Sequence, residues 1–201
     1  MSPAPPVLHV FGGPNGAGKS TLFARFQETA RQPVEQVNGD VLQQLHPQLS
    51  GFEVAELTAA RIKELLAVRA SFSIENNLAT ADNYKLIRGA KAAGYRVELV
   101  YVGLDSVPEC WFRVQQRVRE GGHDVPPAIV EQRYHQSLSL LKQHYTMFDH
   151  IRLVDNTDRA VGYQTAAVIE NGRVQQLPPV SAGWVAGIVR HIQLRERFMQ
   201  P

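Results

Sequence analysis

The sequence predicts an α/β protein with a mainly parallel sheet covered by helices on both faces. Short apolar runs alternate with helical patterns five times before residue 157. This alternation is typical of parallel strands joined by crossover helices. The predicted strands are 7–11, 34–38, 72–75, 97–102 and 151–154, and the predicted helices begin near 21, 54, 81 and 106 and after the prolines at 126 and 127.

After residue 157 the pattern changes. Asn171-Gly172 separates two strand-like runs, 166–170 and 173–177, and is a strong hairpin signal. A C-terminal helix over 184–198 is expected to pack through Trp184, Ile188, Ile192 and Leu194. We therefore expect one domain over 1–201, with a core at 1–157 that includes a lid at 119–128, and a hairpin-helix appendage at 158–201.

Composition limits the classes of function. The 201 residues are 44% hydrophobic and 20% charged, which suits a globular domain with a substantial core. A net charge of +2 gives no argument for nonspecific binding to nucleic acid or membranes. Cys110 is the single cysteine, so an internal disulfide and a multi-cysteine zinc site are excluded. With no signal peptide or membrane-spanning run evident, we expect a cytoplasmic protein without membrane contacts.

The first strand leads into a phosphate-binding motif. Gly13 to Ser20 matches G-x-x-x-x-G-K-[ST] between a predicted strand and a predicted helix, which is the context the motif requires. Backbone N–H groups cradle the phosphates, the lysine reaches the β and γ phosphates, and the serine hydroxyl ligates Mg²⁺. The predicted ATP-binding residues are Gly13, Asn15, Gly16, Ala17, Gly18, Lys19, Ser20 and Thr21, with Ser20 as the metal ligand.

Two carboxylates follow strands that end beside this loop. Asp40 follows the second strand and is the candidate general base of a kinase, the alternative being a helix cap. Glu75 ends the third strand and would bind the acceptor or magnesium-bound water, the alternative being a carboxylate that accepts bonds from nearby N–H groups. The guanine-reading motif of GTPases and the signature of transporter ATPases are absent from the sequence.

A glycine- and proline-rich segment, 121–127, is flanked by arginines and is typical of a lid that closes over ATP. Arg113 and Arg117 share a helix face, and Arg133 follows the segment. We expect Arg117 and Arg133, ahead of Arg113 and Arg119, to contact the γ phosphate; a solvated basic face is the alternative.

Four further residues have simpler interpretations. His123 is interpreted as loop structure or a phosphate contact, and Asn156 as a turn former more readily than an adenine contact. Trp111 and Phe112 are interpreted as core residues, and not as a platform on which a base stacks.

Several segments together resemble the zeta-toxin family of P-loop kinases. They are 12–21, the aspartate after the second strand, 72–80, 94–97, Arg117-Val118, 121–126 and Arg133-Tyr134, and the likeness covers about 7–157. The resemblance implies an ATP- and Mg²⁺-dependent kinase whose toxin members phosphorylate the sugar of UDP-N-acetylglucosamine and are inhibited by an antitoxin. It assigns phosphate binding to Lys19 and Ser20, general base catalysis to Asp40, an acceptor-site carboxylate to Glu75, and the γ phosphate to Arg117 and Arg133. We further expect Asn77 and Thr80 to bind the acceptor beside Glu75.

The sequence departs from the family on the acceptor side. Val41-Leu42-Gln43 follows Asp40 where zeta toxins usually have an aromatic and then a basic residue, and Asn76-Asn77 replaces small and hydroxyl residues. The donor side is therefore better supported than the acceptor. Two other functions stay open: a polynucleotide kinase, which the even charge balance disfavours, and a non-catalytic nucleotide switch that binds a partner.

Overall fold

The computed structural model describes residues 4–29, 33–122, 124–177 and 182–198, and within them seven strands form one sheet. The strand order is β2-β3-β1-β4-β5-β6-β7; the first five strands are parallel, and β6 and β7 are antiparallel. The strands are β1 (Val7–Gly12), β2 (Glu35–Val37), β3 (Phe72–Asn76), β4 (Arg96–Gly103), β5 (His150–Asp155), β6 (Gln164–Glu170) and β7 (Arg173–Gln176). The predicted fold class is confirmed.

Within the described residues, the first six helices connect the parallel strands and the seventh follows the last strand. They are α1 (Lys19–Thr29), α2 (Gly39–Leu45), α3 (Gly51–Ala67), α4 (Ala81–Ala92), α5 (Val107–Arg119), α6 (Pro127–His144) and α7 (Gly183–Phe198), with a short 3₁₀ turn at Tyr145–Met147. Helix α5 begins where the sequence predicts, because the Ser106 side chain accepts a hydrogen bond from the Glu109 backbone N–H. Helix α2 was not predicted. None of the helices in the described ranges has the length and apolarity needed to cross a bilayer.

The central strands β1 and β4 carry the core. Val97, Leu99, Tyr101 and Val102 in β4 are fully buried, as expected for a parallel strand covered on both faces. A second apolar cluster joins α5 and α6 to the phosphate-binding loop through Ala17, Cys110, Val114, Val130 and Tyr134. The helices that flank the lid segment are therefore packed against the loop itself.

The C-terminal hairpin extends the sheet. Strand β6 pairs antiparallel with β5, and the turn at Asn171 and Gly172 has the positive φ angles expected of this dipeptide. Trp184 of α7 packs on Gly103, where an added Cβ would lie 2.5 Å from the indole ring, and its Nε1 donates to Asp155 at 2.9 Å. The C-terminal segment therefore contributes to the core of the nucleotide-binding fold.

Three predicted core positions are wrong. Trp111, Phe112 and Leu194 are 41%, 52% and 44% exposed. Helix α5 buries the face that carries Cys110 and Val114, so the two aromatic residues that follow Cys110 lie off that face. His123 lies outside the described residues.

Candidate active site

The phosphate-binding loop needs glycine for steric reasons. Gly16 and Gly18 have φ angles of 77° and 97°, in the left-handed region that other residues avoid. An added Cβ at Gly16 would overlap the Cys110 carbonyl, and one at Gly18 would lie 2.6 Å from the Tyr163 hydroxyl. Glycine at these two positions is thus required by the close packing of the loop against α5 and against Tyr163.

Lys19 is buried at the start of α1. Its Nζ donates to the Pro14 carbonyl at 3.0 Å, so the loop holds the side chain that the motif assigns to the phosphates. Burial lowers the pKa of Lys19, whereas the nearby carboxylates of Glu75 and Asp40 act to raise it. Lys19 therefore lies close enough to both predicted acidic residues to interact with them electrostatically.

Glu75 bridges the loop and the second strand. Phe11 in β1 and Glu75 in β3 are register partners, which brings the carboxylate beside the phosphate-binding loop. Its Oε1 accepts from the Ser20 hydroxyl at 2.8 Å, and its Oε2 accepts from the Asn38 side-chain amide at 3.3 Å. These bonds come from side chains, and not from nearby N–H groups as in the alternative interpretation of Glu75.

The same residues fit a magnesium ion. No group of three or more His, Cys, Asp or Glu side chains suited to a metal is found among the described residues. Mg²⁺ in nucleotide sites needs few protein ligands, since it retains waters and binds phosphate oxygens. The Ser20 hydroxyl and the adjacent Glu75 carboxylate supply oxygen donors of this kind.

Asp40 lies in the first turn of α2. The helix is capped by Asn38, whose Oδ1 accepts from the Asp40 backbone N–H at 2.9 Å. The helix is therefore capped by Asn38, and not by Asp40 as in the alternative interpretation. The exposed Asp40 carboxylate lines a large cleft that also contains the phosphate-binding loop.

The cleft has a volume of about 800 Å³ and excess positive charge. Its charged lining residues are the cations Lys19, Arg25, Arg113, Arg117, Arg133 and Arg159 and the acids Asp40, Glu75 and Glu120. Such a surplus of cations suits a polyphosphate ligand. Of the other predicted residues, Asn15, Gly16, Gly18, Ser20, Thr21, Asn77 and Thr80 also line the cleft, whereas the buried Gly13 and Ala17 do not.

The arginines beside the lid segment differ in their partners. Arg133 Nη1 donates to Asn15 Oδ1 at 3.3 Å, which attaches α6 to the phosphate-binding loop. Arg117 lines the cleft close enough to Lys19 to act on its charge. Arg113 is bonded to Glu109 at 2.8 Å and to the carbonyls of Asn156 and Thr157 at 2.8 and 3.2 Å. Arg113 therefore ties α5 to the end of β5.

Two residues after β5 hold the phosphate-binding loop. Asn156 is buried, and its side-chain amide donates to the Ala17 carbonyl at 2.8 Å. The Tyr163 hydroxyl donates to the Gly18 carbonyl at 2.7 Å, and the Arg25 guanidinium lies 5.2 Å from the centre of the Tyr163 ring. The interpretation of Asn156 as a turn former did not predict this hydrogen bond to Ala17. Its place at the carboxyl end of a strand was a signal, whereas no sequence pattern marked Tyr163.

Three asparagines line the far side of the cleft. Asn76 and Asn77 accept, through Oδ1, from the backbone N–H groups two residues later at 2.8 and 3.1 Å. Asn83 Oδ1 accepts from the Thr80 N–H at 3.2 Å, at the start of α4. Of these three, only Asn77 was predicted, and Asn83 lay beyond the recognised motif.

The fold and this cleft define a nucleotide-binding protein of the P-loop kinase type. The chain belongs to the zeta toxin family, whose model matches residues 1–167. An uncharacterized protein of Haemophilus influenzae is 27% identical over 125 residues, which are 61% of this chain and 88% of that protein.

Solved structures share the fold at low identity. The AvrRxo1-ORF1:-ORF2 complex with ATP has a TM-score of 0.66 at 19% identity, covering 94% of this chain and 65% of that chain. The chain thus spans slightly less than two thirds of the length of that relative. The PezAT toxin-antitoxin system of Streptococcus pneumoniae has a TM-score of 0.62 at 19% identity, covering 99% and 87%. A putative kinase from Chloroflexus aurantiacus has a TM-score of 0.51 at 16% identity, covering 64% and 74%.

Proposed function

We propose that the protein is an ATP-dependent kinase that transfers the γ phosphate to a hydroxyl group of a small molecule. One observation carries the proposal: the Asp40 carboxylate lines the same cleft as Lys19 and the phosphate-binding loop. A kinase needs this combination of a donor cradle and an acidic group for the acceptor proton. A protein that only binds nucleotide does not need the acidic group for the acceptor proton.

The donor half of the site binds the triphosphate. Backbone N–H groups of the loop and the Lys19 ammonium bind its phosphates, and the Ser20 hydroxyl, with the Glu75 carboxylate beside it, would hold Mg²⁺. When bound, Mg²⁺ neutralises charge on the phosphate oxygens. Arg117 and Arg133 lie on the lid side and stabilise charge that develops on the transferred group.

The acceptor half activates the hydroxyl. Asp40 takes the proton as the acceptor oxygen attacks the γ phosphorus, the bond to the β–γ bridging oxygen breaks, and ADP leaves. Glu75, Asn77 and Thr80 position the acceptor. The family resemblance suggests a nucleotide sugar such as UDP-N-acetylglucosamine as one candidate.

The biological setting is also a proposal. An antitoxin is the candidate protein partner, in keeping with the family and with the toxin-antitoxin system among its structural neighbours. Use of ATP as the donor favours a cytoplasmic location.

The test combines labelled ATP, Mg²⁺ and a metabolite extract, with the product identified by mass spectrometry. Lys19→Ala should abolish the product. Asp40→Asn should leave ATP binding nearly intact and reduce transfer about 100-fold or more. Asp82→Asn is a matched control, because Asp82 pairs with Lys85 on the surface of α4.

Two outcomes contradict the proposal. Full transfer by Asp40→Asn would remove Asp40 as the general base. Bound ATP with no phosphorylated product from any acceptor pool would support the non-catalytic switch.

A further inference from the structure

The sheet order divides the cleft into two sides. Strand β1, which leads into the phosphate-binding loop, lies between β3 and β4. Asp40 follows β2 and Glu75 lies at the end of β3, on one side of β1, whereas Arg159 and Tyr163 follow β5 on the other side. Because the γ phosphate has to face Asp40, the base of the bound nucleotide has to lie on the side of β5. We name this side the nucleoside end; its lining residues are Arg25, Gln116, Arg159, Gly162 and Tyr163.

Two guanidinium groups at the nucleoside end are each stacked on an aromatic ring. The guanidinium carbon of Arg25 lies 5.2 Å from the centre of the Tyr163 ring, and that of Arg159 lies 5.0 Å from the centre of the Phe112 ring. Both distances are typical of cation–π contacts. A planar guanidinium has two faces, and stacking on one ring uses only one of them. The second face can stack on another planar group, such as a nucleobase.

The turn that carries Tyr163 is attached to the phosphate-binding loop. The Gly162 N–H donates to the Asp158 carbonyl at 2.8 Å, which closes the turn. The Tyr163 hydroxyl donates to the Gly18 carbonyl at 2.7 Å. The ring that supports Arg25 therefore has a defined position relative to the phosphates of a bound nucleotide.

Arg159 is held in place by α5. Its Nε donates to Glu109 Oε1 at 3.2 Å, and its Nη1 donates to Gln116 Oε1 at 3.2 Å. The N–H bonds of a guanidinium lie in its plane, so these partners orient the group without covering its faces. Phe112 supports one face, although the ring is 52% exposed and contributes little to the core. This contact gives the exposed aromatic residue a function.

Most hydrogen-bonding groups near the nucleoside end are already used within the protein. The side-chain oxygens of Glu109 and Gln116 accept from Arg159. The Tyr163 hydroxyl and the Asn156 amide donate to the phosphate-binding loop. Few groups are left to distinguish the 6-amino group of adenine from the 6-oxo group of guanine. Stacking requires only the face of the base, and a purine offers a larger face than a pyrimidine.

We infer that the base of the donor stacks on the Arg25 and Arg159 guanidinium groups, and that the protein accepts purine nucleoside triphosphates as a class. ATP and GTP bind with similar affinity, and CTP and UTP bind more weakly because their rings are smaller. This inference rests on the proposed function, which makes a nucleoside triphosphate the ligand. It adds a base site, formed by α1, α5 and the turn after β5, to the phosphate site at the loop.

The test compares the β,γ-methylene analogues of ATP, GTP, CTP and UTP with inorganic tripolyphosphate, which has no base. Binding is measured by calorimetric titration with Mg²⁺. We expect the two purine analogues to bind within about 10-fold of each other, and at least about 5-fold more tightly than the pyrimidine analogues and tripolyphosphate. A preference for one purine above about 10-fold would show that the edge of the base is read, and would overturn the inference. Smaller differences from the pyrimidines or from tripolyphosphate would also overturn it, as would absence of binding by every compound.

Substitution of the arginines provides a second measurement. Arg159→Lys and Arg25→Lys keep the positive charge and remove the planar guanidinium. Each should weaken binding of both purine analogues by about 5-fold or more and leave the affinity for tripolyphosphate unchanged. Equal losses for tripolyphosphate and the purine analogues would assign the arginines to the phosphates and overturn the inference. Unchanged purine affinity in both variants, with folding verified by thermal unfolding, would also overturn it.

The ring behind Arg159 can be tested with a matched control. Phe112→Leu should weaken purine binding by about 3-fold, because the guanidinium loses its support. Trp111→Leu changes the neighbouring aromatic residue of α5, which is 41% exposed and is not among the residues that line the cleft, and should leave purine binding unchanged. Equal losses in the two variants would contradict the role of Phe112.

The labelled-ATP transfer assay separates this inference from the proposed function. Purine-selective binding without a phosphorylated product would support the base site and contradict the kinase proposal. A phosphorylated product together with binding that does not depend on the base would support the kinase proposal and overturn the inference.

Discussion

Replacing Tyr163 with phenylalanine should weaken nucleotide binding while leaving the fold intact. The change removes the hydroxyl that donates to the Gly18 carbonyl at 2.7 Å and keeps the ring under Arg25. That carbonyl belongs to the peptide whose N–H is contributed by Lys19, so its orientation determines where the N–H points. Losing one such hydrogen bond costs about 0.5–1.5 kcal/mol, or roughly a fivefold loss of affinity if the cost falls on the bound state.

The assay is calorimetric titration with a non-hydrolysable ATP analogue and Mg²⁺. Tyr95→Phe is the matched control, because its hydroxyl also donates to backbone carbonyls, of Leu65 and Ala70, at 3.0 and 2.8 Å. Tyr95 does not line the cleft, so this variant should lose stability and keep its affinity. If Tyr163→Phe loses stability but binds the analogue like the wild type, the hydroxyl does not position the loop for nucleotide.

Two further predictions concern stability. Trp184→Ala should lower the free energy of unfolding by about 3–5 kcal/mol in urea titrations, because the indole packs on Gly103; a change under about 1 kcal/mol would contradict this docking. A hydrogen bond from His9, with help from Arg96, lowers the pKa of Glu98 from 4.5 to about 2, so its contribution is present above pH 4.5 and is lost as the pH falls toward 2. Glu98→Gln should therefore cost about 1–2 kcal/mol at pH 7 and progressively less in acid, and an equal cost at pH 7 and pH 3 would exclude this explanation.

The sequence predicted a residue's place in the site most successfully where a motif or the direction of a strand was enough to locate it. The spacing of Gly13 to Ser20 identified the phosphate-binding loop, and the rule that parallel strands end at a common edge placed Asp40 and Glu75 beside it. Both rules depend only on neighbouring residues and on strand direction. Roles in catalysis stay predictions until the variants are measured.

Other features depend on tertiary packing. Tyr163 reaches the loop across 145 residues of chain, and no local pattern identifies it. Asn156 reaches the loop across 139 residues, and its place after β5 marks it as a residue at the sheet edge without identifying its partner. Helix α2 has no buried residue and therefore leaves no apolar periodicity to detect. On α5, the side chains of Trp111 and Phe112 suggested burial by their type alone, but the helix direction turns them outward.

The hairpin and final helix affect how far the protein can be shortened. A version ending at residue 157 would keep every motif that identifies the family, yet it would lose Tyr163 and leave Gly103 without its indole cover. Strand β5 would also become an unprotected edge, open to pairing with other chains. We therefore expect such a truncation to aggregate on expression, despite its intact signature sequence.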